Sequence, residues 1–243
     1  MRRALAILLL ALPLLAWAEE GEARLDSAPV DLNDKASLQR GAAIFVNNCL
    51  NCHSASLMRY GRLEELGLTP KQIEDNLLFT GEKVGDAMSA VQDPSISKAA
   101  FGVVPPDLSL AARSRSPDWL YTYLRSFYRD PASKTGWNNV VFPNVAMPHV
   151  LWEQQGEQRL EVTQRKNAEG ETVETSRLVL ARPGKLSNAD YDRYVGDLVN
   201  YLDYMAEPAQ QARHMWGVLV LFFLAIFFVL ALLLKKEYWK DVR

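Results

Sequence analysis

Two thiols and an imidazole sit within five residues, Cys49-Leu50-Asn51-Cys52-His53. The run C-x-x-C-H is the attachment signature of a c-type haem. Two intervening residues set the thiols at the spacing of the vinyl groups to which they add, and the next position aims an imidazole at the iron. Other uses of such a pair fit less well. A thioredoxin-like dithiol lies after a strand at the head of a helix, whereas this pair ends a helical pattern. A tetrahedral zinc site needs four ligands, and beyond these three residues only His149 and His214 offer imidazoles. A disulfide across so short a loop would stabilise little.

A second axial ligand is less direct, because both Met and His serve in cytochromes. The candidates are Met58, Met88, Met147, Met205, His149 and His214. Met58 is too close in sequence to His53 to reach the opposite face of a haem. Met205 lies on a helix with its own packing, and His214 abuts an apolar segment. Met147 precedes Pro148 in the loop Phe142-Pro143-Asn144-Val145-Ala146-Met147-Pro148, where proline fixes the backbone and presents the side chain. His149, two residues on, is its rival.

Several elements must position these groups. Ser37 is a candidate N-cap for a helix with Leu38, Ala42, Phe45 and Cys49 on one stripe, and Gly41 sits inside it. Pro70 opens a helix over 71–78, and Pro117-Asp118 opens another over 119–128. Between Arg159 and Leu180 the period changes to two, with Asn167-Ala168-Glu169-Gly170 as a hairpin loop. A last helix is expected from Ser187 to about Met205, with Pro208 after it.

The two chain ends bear on location. Arg2-Arg3, an apolar run from Ala4 to Leu15 and Ala16-Trp17-Ala18 form the three-part pattern of a secretory signal peptide, residues 1–18. Residues 216–234 carry neither a charge nor a proline, and a helix that long rises about 28 Å, close to the hydrocarbon thickness of a bilayer. Lys235, Lys236, Lys240 and Arg243 follow, which places the tail at 235–243 in the cytoplasm. The working domain is then 19–215, held outside the membrane, with 21 basic and 27 acidic residues. Across all 243 residues, a 49% hydrophobic content and two cysteines exclude a disordered chain and a disulfide scaffold. The count of 27 Lys+Arg against 29 Asp+Glu, with no long basic run, argues against nucleic acid as a partner.

Further motifs follow the C-x-x-C-H site in order. They are Phe101-Gly102-Val103-Val104-Pro105-Pro106-Asp107-Leu108-Ser109, then Arg113 and Arg115, the Met147 loop, the helix ending Asp197-Leu198-Val199-Asn200-Tyr201-Leu202, and Glu207-Pro208 and Arg213 before the apolar segment. In this order they resemble the cytochrome c1 family, the membrane-anchored haem subunits of the quinol–cytochrome c oxidoreductase (cytochrome bc complex). The resemblance implies one covalently bound haem c, with Cys49 and Cys52 as thioether residues, His53 as proximal ligand and Met147 as distal ligand. It implies that Pro105 and Pro106 pack along the haem and that Arg115 pairs with a propionate. Gly41, Phe45 and Tyr201 resemble the helix-crossing cluster of class I cytochromes c, with an aromatic ring lying across the glycine.

The fold so implied is mainly α: a class I cytochrome c-like domain with a β-hairpin insertion, plus one C-terminal transmembrane helix. The activity implied is electron transport in a respiratory chain, with no catalytic residue and no enzyme activity of the chain on its own. The electron would come from a Rieske iron–sulfur protein and leave to a cytochrome c, with cytochrome b and membrane lipid around the anchor. The setting would be a bacterial inner membrane, with the haem domain in the periplasm. An independent membrane-tethered cytochrome c shuttle is the alternative, disfavoured by the Pro105-Pro106 stretch and the hairpin. A haem peroxidase is weaker still, because Met147 would close its distal site. The chain departs from mitochondrial members in having few clustered acidic residues.

Overall fold

The first helix starts ahead of the serine expected to cap it. Helix α1 spans Lys35–Asn48, and the Asp34 carboxylate accepts from the Ser37 amide at 3.0 Å. Aspartate satisfies an orphan amide of a helix start as well as serine does. The Ser37 hydroxyl is used otherwise, accepting from Asn200 Nδ2 at 3.1 Å. Asn200 belongs to α7, Asn188–Ala206, the last helix expected before Pro208, which Ser187 caps by accepting from the Asp190 amide. The two helices cross at Gly41. A Cβ built there would lie 2.0 Å from the Asp197 carbonyl oxygen and 2.6 Å from Tyr201 Cβ, so only glycine lets the backbones approach so closely. The closest neighbour of Gly41 is thus the α7 backbone. The Tyr201 ring lies alongside, tilted against Phe45 with centroids 5.7 Å apart.

This computed structural model describes residues 24–166 and 172–241, and about half of it is helix. The expected leader, the turn at 167–170 and Arg243 lie outside the described residues. After α1 the chain forms β1 (Ala55–Arg59), a 3₁₀ helix (Tyr60–Leu66) and α2 (Pro70–Asn76). Strand β2 (Ala87–Met88) pairs antiparallel with β1 and is followed by α3 (Pro94–Phe101). Of these, only α2 is predicted from the sequence, by its Pro at the first turn; Thr69 and Gln72 close a capping box there.

Helices α4 (Ala111–Arg115) and α5 (Pro117–Arg125) lead into β3 (Phe127–Arg129), which pairs antiparallel with β4 (Trp137–Asn139). The helix expected to run to residue 128 stops at Arg125. Asn139 Nδ2 donates to the Tyr123 carbonyl at 2.8 Å, and Phe127 enters the β3–β4 ladder opposite Asn139 instead of taking another helical turn. A short α6 (Trp152–Gln155) precedes β5 (Gly156–Lys166) and β6 (Thr172–Pro183), which pair antiparallel with Leu160 opposite Leu178. Gln158 pins the base of this ribbon, its amide donating to the carbonyls of Arg125 and Phe127, both at 3.0 Å.

The core gathers around α1 and α7, where Leu38, Phe45, Val195, Leu198 and Tyr201 are buried with Leu63 of the 3₁₀ helix and Ile73 of α2. Helix α8, Gln210–Tyr238, contains the apolar segment: residues 212–238 are long and apolar enough to cross a membrane, and none of the best window is buried against the protein. A helix apolar on every face and uncovered by protein suits lipid as its surroundings.

Candidate haem-binding site

Cys49 is the C-cap of α1, its amide bonded to the Phe45 carbonyl at 2.8 Å. The amides of Cys52 and His53 both turn back onto the Cys49 carbonyl, at 3.1 and 2.9 Å. One tight turn off the helix end therefore presents two thiols and an imidazole together. The thiols are free, with no disulfide between them. Burial, with Cys52 beside it, pushes the Cys49 thiol up to about 12, so it stays protonated. The Cys52 thiol donates to Gln92 Oε1 at 2.9 Å.

The His53 ring is fixed from behind. Its Nδ1–H donates to the Pro106 carbonyl at 2.8 Å, which leaves Nε2 as the acceptor nitrogen. Burial lowers its pKa, opposed by the Pro106 carbonyl and by Asp107, which favours the neutral ring that a ligand must be. The segment carrying Pro106 is sewn to the chain just past His53. Asp107 accepts from the amides of Ser56 (2.9 Å) and Ser109 (2.8 Å), the Ser109 hydroxyl accepts from the Leu57 amide (3.0 Å), and the Leu108 amide donates to the Ser54 carbonyl (2.8 Å). Desolvation opposes these bonds to Asp107, yet its carboxyl is held below the usual range. Sequence reasoning picked out Pro105 and Pro106 and passed over Asp107 and Ser109 as clamps, although the same Pro-Pro-Asp-Leu-Ser run carried the signal.

A second group forms around Met147. Its sulfur accepts from the Tyr123 hydroxyl at 3.4 Å. Two asparagines hang the loop that carries it. Asn139 Oδ1 accepts from the amides of Val141 (2.9 Å) and Phe142 (3.1 Å), and Asn138 Oδ1 accepts from the Asn144 amide (2.8 Å). Asn144 holds φ at 61°, a left-handed conformation that asparagine tolerates. The rival methionines are packed away: Met58, Met88 and Met205 are all buried in the core, and Met88 already accepts from Tyr201 at 3.6 Å. His149 is buried too, stacked on Phe127 at 4.8 Å and edge-on to Trp137 at 5.1 Å. Its Nε2 has no partner, and burial brings its pKa down to about 4. His214 is exposed on α8. Met147 alone among these sulfurs and imidazoles combines partial burial with a loop position.

Arg115 lies next to this group. Its guanidinium sits 5.2 Å from the Trp119 ring centre and 5.9 Å from that of Phe142, and no carboxylate among the described residues pairs with it. Trp119 in turn stacks on Tyr123, centroids 4.8 Å apart. Ser116, the next residue, has φ of 82°, a strained value for a residue with a Cβ. The structure thus brings His53 together with Pro106, and Met147 together with Tyr123 beside Trp119 and Arg115.

The model of the Cytochrome C1 family matches residues 26–168 and 186–242. The chain belongs to the cytochrome c1 family. It is similar to cytochrome c1 of Allochromatium vinosum, 48% identical over 240 residues and covering 98% of each chain. It is equally similar, 48% over 238 residues with 98% and 96% covered, to a protein of Nitrosomonas europaea named ammonia monooxygenase gamma subunit. The mitochondrial cytochrome c1 of Saccharomyces cerevisiae is 22% identical over 257 residues, covering 95% of this chain and 73% of the yeast protein. Members of the cytochrome c1 family carry a covalently bound haem c and transfer electrons in the respiratory chain. The residues present fit that group. Two unlinked thiols and a neutral imidazole with Nε2 free stand on one turn, and an unpaired guanidinium and a loop sulfur stand on the second cluster.

Proposed function

We propose that Cys49 and Cys52 hold the haem covalently, that His53 and Met147 are its axial ligands, that Pro105 and Pro106 pack along it and that Arg115 pairs with a propionate. When bound, the haem supplies a one-electron redox couple. The chain's own residues set the conditions for it. Pro106 fixes the tautomer and orientation of His53, as second partners of ligating histidines do. A cation that lacks a carboxylate partner is suited to a fork-like contact with a propionate. The observation that carries this reading is the His53 Nδ1–Pro106 bond beside two free thiols, since it leaves a nitrogen lone pair available where the thiols would hold a ring.

On this reading the chain is the electron-carrying subunit of a quinol–cytochrome c oxidoreductase, taking an electron from a Rieske iron–sulfur protein and passing it to a cytochrome c. Cytochrome b surrounds the anchor. Residues 1–18 are a cleaved leader, 19–215 a periplasmic class I cytochrome c-like domain with the β5–β6 ribbon as its insertion, 216–234 the membrane anchor and 235–243 a cytoplasmic tail in a bacterial inner membrane. The family match supports part of this reading, because it skips residues 169–185, which include all of β6, while β5 lies within the matched residues.

Met147→Leu in the full chain tests the ligand assignment. The variant should keep covalent haem on a denaturing gel, lose the weak near-infrared sulfur-to-iron band of the ferric state and shift to a lower reduction potential. Survival of the band would move the assignment to another residue. Purification of the native protein in mild detergent should bring cytochrome b and the Rieske protein with it. A chain recovered alone under conditions that keep other membrane complexes intact would instead be a tethered shuttle.

A further inference from the structure

We infer that His149 is a positioning residue for the distal side of the redox centre: its buried imidazole locks the outgoing end of the Met147 loop to the β3–β4 ladder and, through Gln155, to the base of the β5–β6 ribbon. This rests on Met147 being the distal ligand. Three observations place the residue. It lies just past Met147 and Pro148, yet only 2% of it is exposed, whereas Met147 is half-buried. The ring lies parallel to Phe127 of β3, with 3° between the planes and 4.8 Å between centroids, and edge-on to Trp137 of β4 at 5.1 Å. Both strands of the ladder therefore grip one ring, and the ladder is itself tied to the ribbon, since Arg129 covers the Trp137 ring at 3.9 Å and pairs with Glu157 of β5 at 2.8 Å. The polar edge of the imidazole meets the ribbon base. His149 Nε2 and Gln155 Oε1 are both buried without a partner, and Gln155 is the polar side chain that acts on the ring. Gln155 is fixed in turn, its Nε2 donating to the Arg125 carbonyl at 2.9 Å.

Buried polar atoms are nearly always paired, and two orphans side by side call for a reason. With the proton on Nε2 the imidazole is a donor where Gln155 Oε1 is an acceptor, so one bond meets both needs. The loop is then closed at both ends. The carboxamides of Asn138 and Asn139 hold its start, and the His149 ring holds its finish. A loop fixed at both ends resists the swing that would carry the sulfur away and admit a foreign ligand. His149 supports the ligand and does not replace it, because a ring gripped by Phe127 and Trp137 is not free to reach a metal.

His149→Phe keeps an aromatic ring between Phe127 and Trp137 and removes Nε2; Gln155→Leu removes the acceptor. In the detergent-solubilised full chain, each should keep the near-infrared sulfur-to-iron band. Each should also bind exogenous imidazole to the ferric form roughly two- to tenfold more tightly, the scale of one hydrogen bond, read by optical titration. The double variant should gain no more than either single one, since both remove the same contact. His149→Ala, which also empties the clamp, should gain more than His149→Phe. Ile73→Ala is the control, a fully buried side chain on α2. It should lower the melting temperature and leave imidazole binding unchanged. Imidazole binding no tighter in His149→Phe, with the band lost in Met147→Leu, would overturn the inference while leaving Met147 as ligand. Additive gains in the double variant would overturn the link to Gln155, and an equal gain in Ile73→Ala would reduce His149 to a packing residue. A band that survives Met147→Leu would overturn the ligand assignment itself.

Discussion

His53 and Pro106 are joined by a 2.8 Å hydrogen bond across 53 residues of chain, from the imidazole Nδ1–H to the proline carbonyl. A carbonyl oxygen can only accept, which fixes which ring nitrogen carries the proton. Asp107 holds that carbonyl in place through the Ser56 and Ser109 amides. Asp107→Ala should remove about 1–2 kcal/mol of stability, read by thermal unfolding. It should also broaden the ferric spectrum, because the ring behind the iron is no longer fixed. Unaltered melting and spectra would mean that the Pro-Pro turn holds itself.

Gly41 and Gly196 make a paired test of helix packing. At Gly41 a Cβ meets the Asp197 carbonyl at 2.0 Å, a backbone contact that cannot give without moving α7. Gly41→Ala should lose at least the roughly 1–3 kcal/mol typical of overpacking, and haem incorporation with it. At Gly196 the nearest atom is the side-chain Cγ of Pro29 at 2.8 Å, and no backbone atom lies as close. There the helix-propensity gain of about 1 kcal/mol should offset the contact. Denaturant melts of both variants decide, and equal losses would contradict the distinction.

These contrasts show what was legible in the residues. The crossing of α1 and α7 was visible because a glycine inside a strongly periodic helix requires a reason, and Phe45 and Tyr201 offered one. The haem turn was visible because two thiols and an imidazole at fixed spacing have few uses. The β1–β2 and β3–β4 pairs were not visible, since two- and three-residue strands carry no period. The premature end of α5 was hidden for a different reason: Phe127 continues the apolar stripe, and the competitor for the Tyr123 carbonyl, Asn139, lies 16 residues away. Ser37 as a cap failed because Asp34, an equally good cap, lay one turn earlier.

The Met147 loop should depend on Asn138. This buried side chain accepts from the Asn144 and Asn139 amides at 2.8 and 2.9 Å and donates to Asp130 at 2.8 Å. Asn138→Ala leaves those groups unmet and should lower stability by about 1–3 kcal/mol. With the loop loosened, exogenous imidazole should bind the ferric form more tightly, measured by optical titration. Binding no tighter than in the native protein would assign loop order to Asn139 alone.

Asp203 on α7 provides a pH test. Burial, followed by the nearby Glu207, raises its carboxyl pKa above the ordinary 3.8. Above its raised folded pKa the ionised carboxylate bears the penalty in the folded chain; below 3.8 both folded and unfolded groups are protonated and the penalty is gone. Asp203→Asn should therefore raise the melting temperature most at pH 7, with the gain shrinking as the pH falls toward and through that value. A gain independent of pH would point to packing instead of charge.

Between Ala206, which ends α7, and Gln210, which begins α8, lie only Glu207, Pro208 and Ala209. Three residues reach about 10 Å at full stretch, and Glu207 shortens even that by bonding Arg213 of α8 at 2.6 Å and facing Arg113 of α4 at 3.9 Å. Such a joint allows tilting but no excursion. With α8 as the proposed anchor, a domain mounted this way would stay close to the membrane, so over any distance larger than its own width the travelling would fall to the molecules that deliver and collect the electron.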